Sequence, residues 1–307
     1  MTTAGHRASP DEPGWTERPE RSHPAIVRLM VWISLHAGRA ASRLVLHGIA
    51  AYYLAFAPSA RRASADYLRR VLGRRPTLVE RYRHVFAFAS TTHDRVYLLN
   101  DRFDLFATEV VGGDIVRAVT EAGRGALLIG AHLGSFEVLR ALGRRYTDHP
   151  VGMMMYADNA RKINAALAAI NPAAVQDIIP LGRLDSLLVA KARLDAGHLI
   201  GILADRSFGD DATSTCEFLG APAQFPLGPF RVAALLQRPV LFMAALYLGG
   251  NRYQVHFEAL ADFSHVERSD RDAAISQAQR AYAALLERHC RAAPYNWFNF
   301  FDFWGRR

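Results

Sequence analysis

The sequence predicts an α/β fold: a mostly parallel central sheet covered by helices, preceded by an N-terminal interfacial helical region. Three observations carry this expectation. From Gly125 onward, short apolar runs alternate with segments of helical periodicity, the order that builds a parallel sheet wrapped by helices. Before that point the patterns are helical and unusually apolar. Finally, 307 residues, half of them hydrophobic and 21% charged, can bury a sizeable core as one large or two small domains. That balance excludes disorder of the whole chain.

Residues 1–24 carry Pro10, Pro13, Pro19 and Pro24 among charged and small residues, without apolar periodicity, and read as a disordered tail rather than a signal peptide. Residues 25–110 read as a membrane-associated helical region and 111–307 as the α/β domain, the two packing as one unit. Ala25–Ala57 contains no acid and is long enough for a helix of roughly 50 Å. Its arginine-free runs, Leu29–Gly38 and Leu44–Ala57, are shorter than the ~18–20 apolar residues that a span needs. On a helical projection Arg28, Trp32, His36, Arg39, Arg43 and His47 share one arc. Such a helix would lie on anionic lipid with its arginines towards phosphates and its aliphatic side towards acyl chains. A core helix with one solvated face has the same pattern. Gly38 and Gly48 leave room for a bend.

Residues 59–107 read as two further helices separated at Pro76. They bear the pairs Arg61-Arg62, Arg69-Arg70 and Arg74-Arg75, which would add to a membrane-facing patch. Thereafter Ala126–Ala131, Val151–Tyr156, Val175–Leu181 and Leu199–Ala204 are expected strands, with helices over Phe136–Arg145, Ala160–Ile170 and Leu184–Ala196. Strands near Val240–Leu248 and Arg252–Leu260 and a helix over about Asp270–Arg291 complete the domain.

Lys and Arg total 37 against 29 acids, a formal charge of +8, and all but Lys162 and Lys191 are arginine. The expected partners are therefore anionic, and arginine grips phosphate bidentately. Nucleic acid is disfavoured, because the arginines track the oily helix and no recognised nucleic-acid motif is present. Cys216 and Cys290 are too few for a disulfide framework or a cysteine metal cluster and read as reduced packing residues.

In an α/β sheet the site is expected beyond the carboxyl ends of the strands. The first such end reads Gly130-Ala131-His132-Leu133-Gly134-Ser135-Phe136-Glu137. Gly134 and Ser135 suit a turn and an N-cap, and Glu137 falls in the first turn of the following helix. Glu137 folded back onto His132 would fix its tautomer and leave the other nitrogen as a general base. The alternative is a hydrogen-bonded turn histidine beside an acid that complements the helix dipole. No Gly-x-Ser-x-Gly elbow is present, which disfavours a serine hydrolase.

This stretch resembles the His-then-four-then-acid motif of the lysophospholipid acyltransferase superfamily, and within it the bacterial lipid A biosynthesis acyltransferases, whose acid is typically Glu. Two further blocks are similar in order: Gly201-Ile202-Leu203-Ala204-Asp205-Arg206, and Phe218-Leu219-Gly220-Ala221-Pro222-Ala223-Gln224-Phe225-Pro226-Leu227-Gly228-Pro229. With the apolar helix they cover roughly residues 25–290. One departure is Tyr156-Ala157-Asp158-Asn159, where many members carry Tyr-Arg-Pro.

The resemblance implies a membrane-associated O-acyltransferase on the cytoplasmic face of a bacterial inner membrane. His132 would be the general base, oriented by Glu137. The donor would be a thioester of acyl carrier protein or coenzyme A, with no tightly bound cofactor and no metal. The acceptor would be a hydroxyl of a lipid or glycolipid. Arg206, positioned by Asp205, would bind a phosphate of donor or acceptor, with Arg161 and Lys162 as further candidates. Backbone N–H groups at the helix start after His132 would serve the oxyanion. Phe218, Leu219, Phe225 and Pro226 would wall the acyl cavity, or simply belong to the core. An inactive membrane-bound lipid-binding protein of the same fold is the alternative. The ending Tyr295–Trp304 holds seven aromatics in ten residues, resembles the terminus of members from aryl-polyene or xanthomonadin-type clusters, and is expected to pack inward.

Overall fold

A computed structural model describes residues 24–146, 151–156, 165, 167, 168, 170, 171, 178–181, 184–207 and 211–305, with backbone alone at 24–29, 145, 146 and 184. The expected tail, Arg161, Lys162 and the Ala157-Asp158-Asn159 segment lie outside these residues, as do parts of the expected helix Ala160–Ile170 and strand Val175–Leu181.

Three helices come first: α1 (Pro24–Phe56), α2 (Pro58–Leu72) and α3 (Leu78–Leu98). Then follow β1 (Ala107–Val111), α4 (Gly113–Glu121), β2 (Ala126–Gly130), α5 (Phe136–Tyr146), β3 (Val151–Tyr156), β4 (Ile178–Leu181), α6 (Leu184–Asp195) and β5 (Leu199–Leu203). The chain continues with β6 (Thr213–Phe218), β7 (Ala221–Pro226), α7 (Gly228–Leu236), β8 (Pro239–Tyr247), β9 (Arg252–Asp262) and α8 (Arg271–Ala292).

Among the described residues seven strands form one sheet in the order β1-β9-β8-β2-β5-β3-β4, while β6 and β7 form a separate antiparallel hairpin. Strands β8, β2, β5, β3 and β4 run parallel, and β9 is antiparallel to β8 with β1 parallel to it. Strand β1, helix α4 and the β6–β7 hairpin were not foreseen. Edge strand β1 is mostly exposed and lacks the apolar run of a central strand, and the sheet therefore begins before residue 111. The β6–β7 hairpin turns at Leu219-Gly220, both with positive φ.

The central strands are buried on both faces, as parallel strands between helical layers must be. Leu127, Ile129, Ile200, Ile202, Val240 and Phe242 pack beneath α8, α7 and the hairpin. Leu128, Leu199, Leu241 and Met243 pack against α5 and α3 on the other side. Helix α3 starts in a capping box: Thr77 Oγ1 accepts from the Glu80 N–H at 3.2 Å, and the Thr77 N–H donates to Glu80 Oε2 at 2.7 Å.

Helix α1 reverses the expected polarity. It kinks at Gly38 (φ 78°, ψ 170°), a conformation open to glycine, and Ser42 Oγ donates to the Gly38 carbonyl at 2.9 Å. Arg39 turns inward and grips fully buried Asp94 bidentately at 2.8 and 2.9 Å, and Tyr253 donates to the same carboxylate at 2.7 Å. Arg43 donates to the Tyr247 hydroxyl at 2.9 Å. These arginines therefore do not face outward to phosphates: acceptors on α3, on β8 and in the turn after β8 take them. From Trp32 to Phe56 the exposed positions carry no Asp, Glu, Lys or Arg, and they include Trp32, Leu35, Leu44, Val45, Ile49, Tyr52 and Phe56. Among the described residues no single helix is long and apolar enough to cross a membrane. Met30–Phe56 and Pro58–Leu72 pass together by length and composition, bent by 95°.

Candidate active site

Strands β2 and β5 are parallel neighbours in register, Gly130 opposite Leu203. The residues just past their carboxyl ends, His132 and Asp205, therefore arrive side by side. Asp205 Oδ1 accepts from His132 Nδ1 at 2.9 Å, and Oδ2 accepts from the His132 backbone N–H at 3.1 Å and from Trp297 Nε1 at 3.0 Å. Asp205 is almost wholly buried, whereas about a third of the His132 side chain reaches solvent. Burial by itself would raise the Asp205 carboxyl, but His132, Arg206 and the Trp297 N–H outweigh it and hold it below the usual carboxylate range. An ionised carboxylate only accepts, so Nδ1 carries the proton and Nε2 keeps its lone pair. Among the described residues Nε2 has no hydrogen-bond partner.

His132 is pushed below its ordinary value by burial and by the nearby Arg206 guanidinium, with Asp205 opposing. The ring is thus neutral at neutral pH, the state that a general base requires.

The expected hydrogen bond from Glu137 to His132 is not the one formed. Glu137 lies in the first turn of α5, as the sequence indicates, but its carboxylate faces α3. Oε2 accepts from Arg140 at 2.9 Å and Oε1 lies 3.8 Å from Arg95. Two guanidinium groups at this buried interface outcompete a neutral imidazole. Asp205, expected to position Arg206, instead holds the histidine.

The loop carrying His132 is clamped by the chain end. Phe298 N–H donates to the His132 carbonyl at 2.8 Å, and the Gly134 N–H donates to the Asn296 carbonyl at 2.9 Å. Asn296 in turn binds the backbone of Tyr247 through both atoms of its amide. Gly134 has φ +72°, and a Cβ there would run into the Ala245 carbonyl, so the turn requires glycine. The Ser135 N–H donates to Ala245 at 2.8 Å. The N–H groups of Gly134 and Ser135, which lead into the helix start expected to serve the oxyanion, are therefore engaged within the fold.

Arg206 donates to the Phe298 carbonyl at 3.0 Å and lies 5.2 Å from the Phe301 ring centroid. Next to Phe298, Asn299 is 1% exposed, and neither atom of its amide has a hydrogen-bond partner among the described residues. Sequence reasoning passed over Asn296, Trp297 and Asn299 because the aromatic run around them reads as packing alone. Trp297 is fully buried, and its carbonyl bonds His84 Nε2 at 2.8 Å. Burial pushes the His84 imidazole down to about 4, so it is neutral. Phe218, Leu219, Phe225 and Pro226 are buried. Phe218 packs on Trp297 and Trp304, and Phe225 packs on Tyr282 and Phe303. Both rings fill the core between the hairpin, α8 and the tail.

Away from this cluster, ligand-type atoms of His256, Glu258 and His289 lie within 4.8 Å of one another. Here Glu258 already accepts from His289 at 2.6 Å and from Arg288.

Comparison with known families accounts for this architecture. The chain matches the family model described as bacterial lipid A biosynthesis acyltransferase over residues 19–306. No curated protein matches it. A match across nearly the whole chain, including every strand-end residue described above, shows that the protein belongs to the bacterial lipid A biosynthesis acyltransferase family and is an acyltransferase.

Proposed function

We propose that this acyltransferase moves a fatty acyl group from a thioester, carried by acyl carrier protein or coenzyme A, to a hydroxyl of a lipid or glycolipid at the cytoplasmic face of the bacterial inner membrane. The observation that carries this reading is the His132–Asp205 pair at the strand ends, with Nδ1 held and Nε2 open. Nε2 accepts the proton of the acceptor hydroxyl as its oxygen attacks the thioester carbonyl, forming the C–O bond. The tetrahedral intermediate then collapses with cleavage of the C–S bond, and the imidazolium returns the proton to the leaving thiolate. Asp205 stabilises the imidazolium between the two steps. With the Gly134 and Ser135 N–H groups engaged, the negative oxygen is met by the Arg206 guanidinium and the Asn299 amide.

Membrane attachment is supported by the charge-free outer face of α1, whose Leu44, Val45, Ile49, Tyr52 and Phe56 suit the acyl boundary of a bilayer. Arg39 and Arg43 seal the inner side of the helix instead of reaching for lipid phosphate.

The test is His132→Ala in purified protein, assayed with an acyl carrier thioester and a lipid extract. Transfer is expected to disappear while the circular dichroism spectrum and thermal midpoint stay unchanged. Undiminished transfer would remove the assignment. A wild-type protein that binds lipid but consumes no thioester would favour the inactive lipid-binding reading.

A further inference from the structure

The excess positive charge of the chain is concentrated in one place. Between Pro58 and Arg83 stand eight arginines and two acids, Asp66 and Glu80, so these residues hold most of the formal +8. They shape two adjoining grooves. One, of about 430 Å³, is lined by Arg61, Arg62, Asp66, Arg69, Arg75 and Arg81, among others. The other, of about 550 Å³, shares Arg62 and Asp66 with it and is walled by Arg70 and by the tail from Phe301 to Gly305.

The guanidinium groups are held in position. Asp66 binds Arg69 and also Arg70 at 3.1 Å, and Glu80 binds Arg74 at 2.6 Å. Arg61 donates to the Leu54 carbonyl at 3.1 Å, and Arg70 lies 4.4 Å from the Trp304 ring centroid. Arg75 and Arg81, by contrast, have no side-chain hydrogen bond or ion pair among the described residues, and the Arg81 Nε is buried without a partner. The second groove ends at Phe301, whose ring covers Arg206, the neighbour of Asp205.

We propose that this arginine trough is the docking surface for an acidic carrier protein that delivers the acyl thioester, the tail groove leading its arm towards His132. The inference rests on the reading of the chain as a thioester-consuming acyltransferase. Charge complementarity selects an acidic partner. Shape selects a protein over a bilayer: two adjoining grooves lined by guanidinium groups suit a convex acidic helix, while the charge-free outer side of α1 suits lipid. Continuity with Phe301 and Arg206 selects the donor over any other acidic protein.

The experiment uses the full chain bearing Arg62→Glu and Arg75→Glu, both exposed and outside the catalytic cluster. Initial rates are compared for the same acyl chain on acyl carrier protein and on pantetheine alone. Binding of the carrier is read by fluorescence anisotropy, and partition is measured onto phosphatidylglycerol vesicles. Expected is a KM for the carrier-borne donor raised by roughly tenfold or more, as reversal of two facing charges implies. The kcat, the KM for acyl-pantetheine and the vesicle partition should be unchanged. Equal loss with both donors, or no change with either, would overturn the proposal. Lost vesicle binding with an unchanged carrier KM would assign the trough to lipid and overturn it as well. If the wild type used neither donor, the acyl-transfer reading would fail on its own. Anisotropy would still decide the docking, since wild-type protein that does not bind the carrier refutes it.

Discussion

Two carboxylates are candidates to orient His132, and both are almost completely buried. Asp205 lies 73 residues away in sequence and receives the imidazole; Glu137 lies five residues away and does not. Asp205 ends a strand hydrogen-bonded in register to the strand that ends at His132, so the sheet aligns the two groups at 2.9 Å. Glu137 rides on the first turn of a helix whose polar side faces α3, where Arg140 and Arg95 await it. Sheet register, not spacing along the chain, selects the partner of the base. The two acids should therefore fail differently when altered.

The largest expected effect is that of Asp205→Asn. With the imidazolium left without its carboxylate and the tautomer no longer enforced, kcat should fall by about 10²–10⁴, the scale of general-base catalysis. Steady-state rates with a saturating thioester donor check this, and a loss below tenfold would return the orienting role to Glu137. Glu137→Gln should act on stability first. It leaves Arg140 and Arg95 without their carboxylate at a buried interface, a change that typically costs about 3–5 kcal/mol. A denaturant midpoint that falls markedly, with kcat in the surviving folded fraction within about tenfold of wild type, is the expected pattern. A collapse of kcat at unchanged stability would contradict it.

Much of this fold was legible in the sequence. The runs Ala126–Ala131, Val151–Tyr156 and Leu199–Ala204 became β2, β3 and β5, and His132 fell at a strand end as periodicity and turn chemistry indicated. The Asp205–Arg206 dipeptide was also visible as a site candidate. Its partner was not, because strand order and register arise from the packing of the whole domain. The polarity of α1 was hidden for a similar reason. A helical projection cannot reveal that Arg39 and Arg43 find acceptors 55 and 204 residues away, and without those acceptors the arginines belong in water. Strand β1 escaped notice because an exposed edge strand needs no apolar run.

Asn299, one residue past the Phe298 that binds the His132 carbonyl, adds a third test. Its amide is buried without a partner among the described residues, a state costing about 1–3 kcal/mol for each group left unsatisfied, so a ligand that supplies the partner is favoured. Asn299→Ala should lower kcat by roughly tenfold to a hundredfold if the amide meets the oxyanion, with KM little changed. A rise in KM at constant kcat would place Asn299 on the ground-state substrate, and no kinetic change would make it structural. Asn299→Asp, similar in size but anionic, should be no better than alanine if the oxyanion reading holds.

The smallest effect, and the one that separates the two acids most cleanly, is on pH dependence. His132 acts as a base only when neutral, and burial and Arg206 place its titration below the ordinary 6.5. In wild type, kcat/KM should therefore rise with pH along a limb below 6.5 and be level through neutrality. The Asp205 carboxylate opposes that depression by favouring the imidazolium. Asp205→Asn removes the opposing charge while burial and Arg206 remain, so the acid limb of its residual activity should move to still lower pH. Glu137→Gln should leave the limb where it is, because Glu137 is charge-balanced by Arg140 and Arg95 and makes no bond to the ring. Profiles of kcat/KM from pH 4.5 to 8.5 for the three proteins check this. A limb that shifts in Glu137→Gln and stays in place in Asp205→Asn would reverse the roles assigned to the two carboxylates.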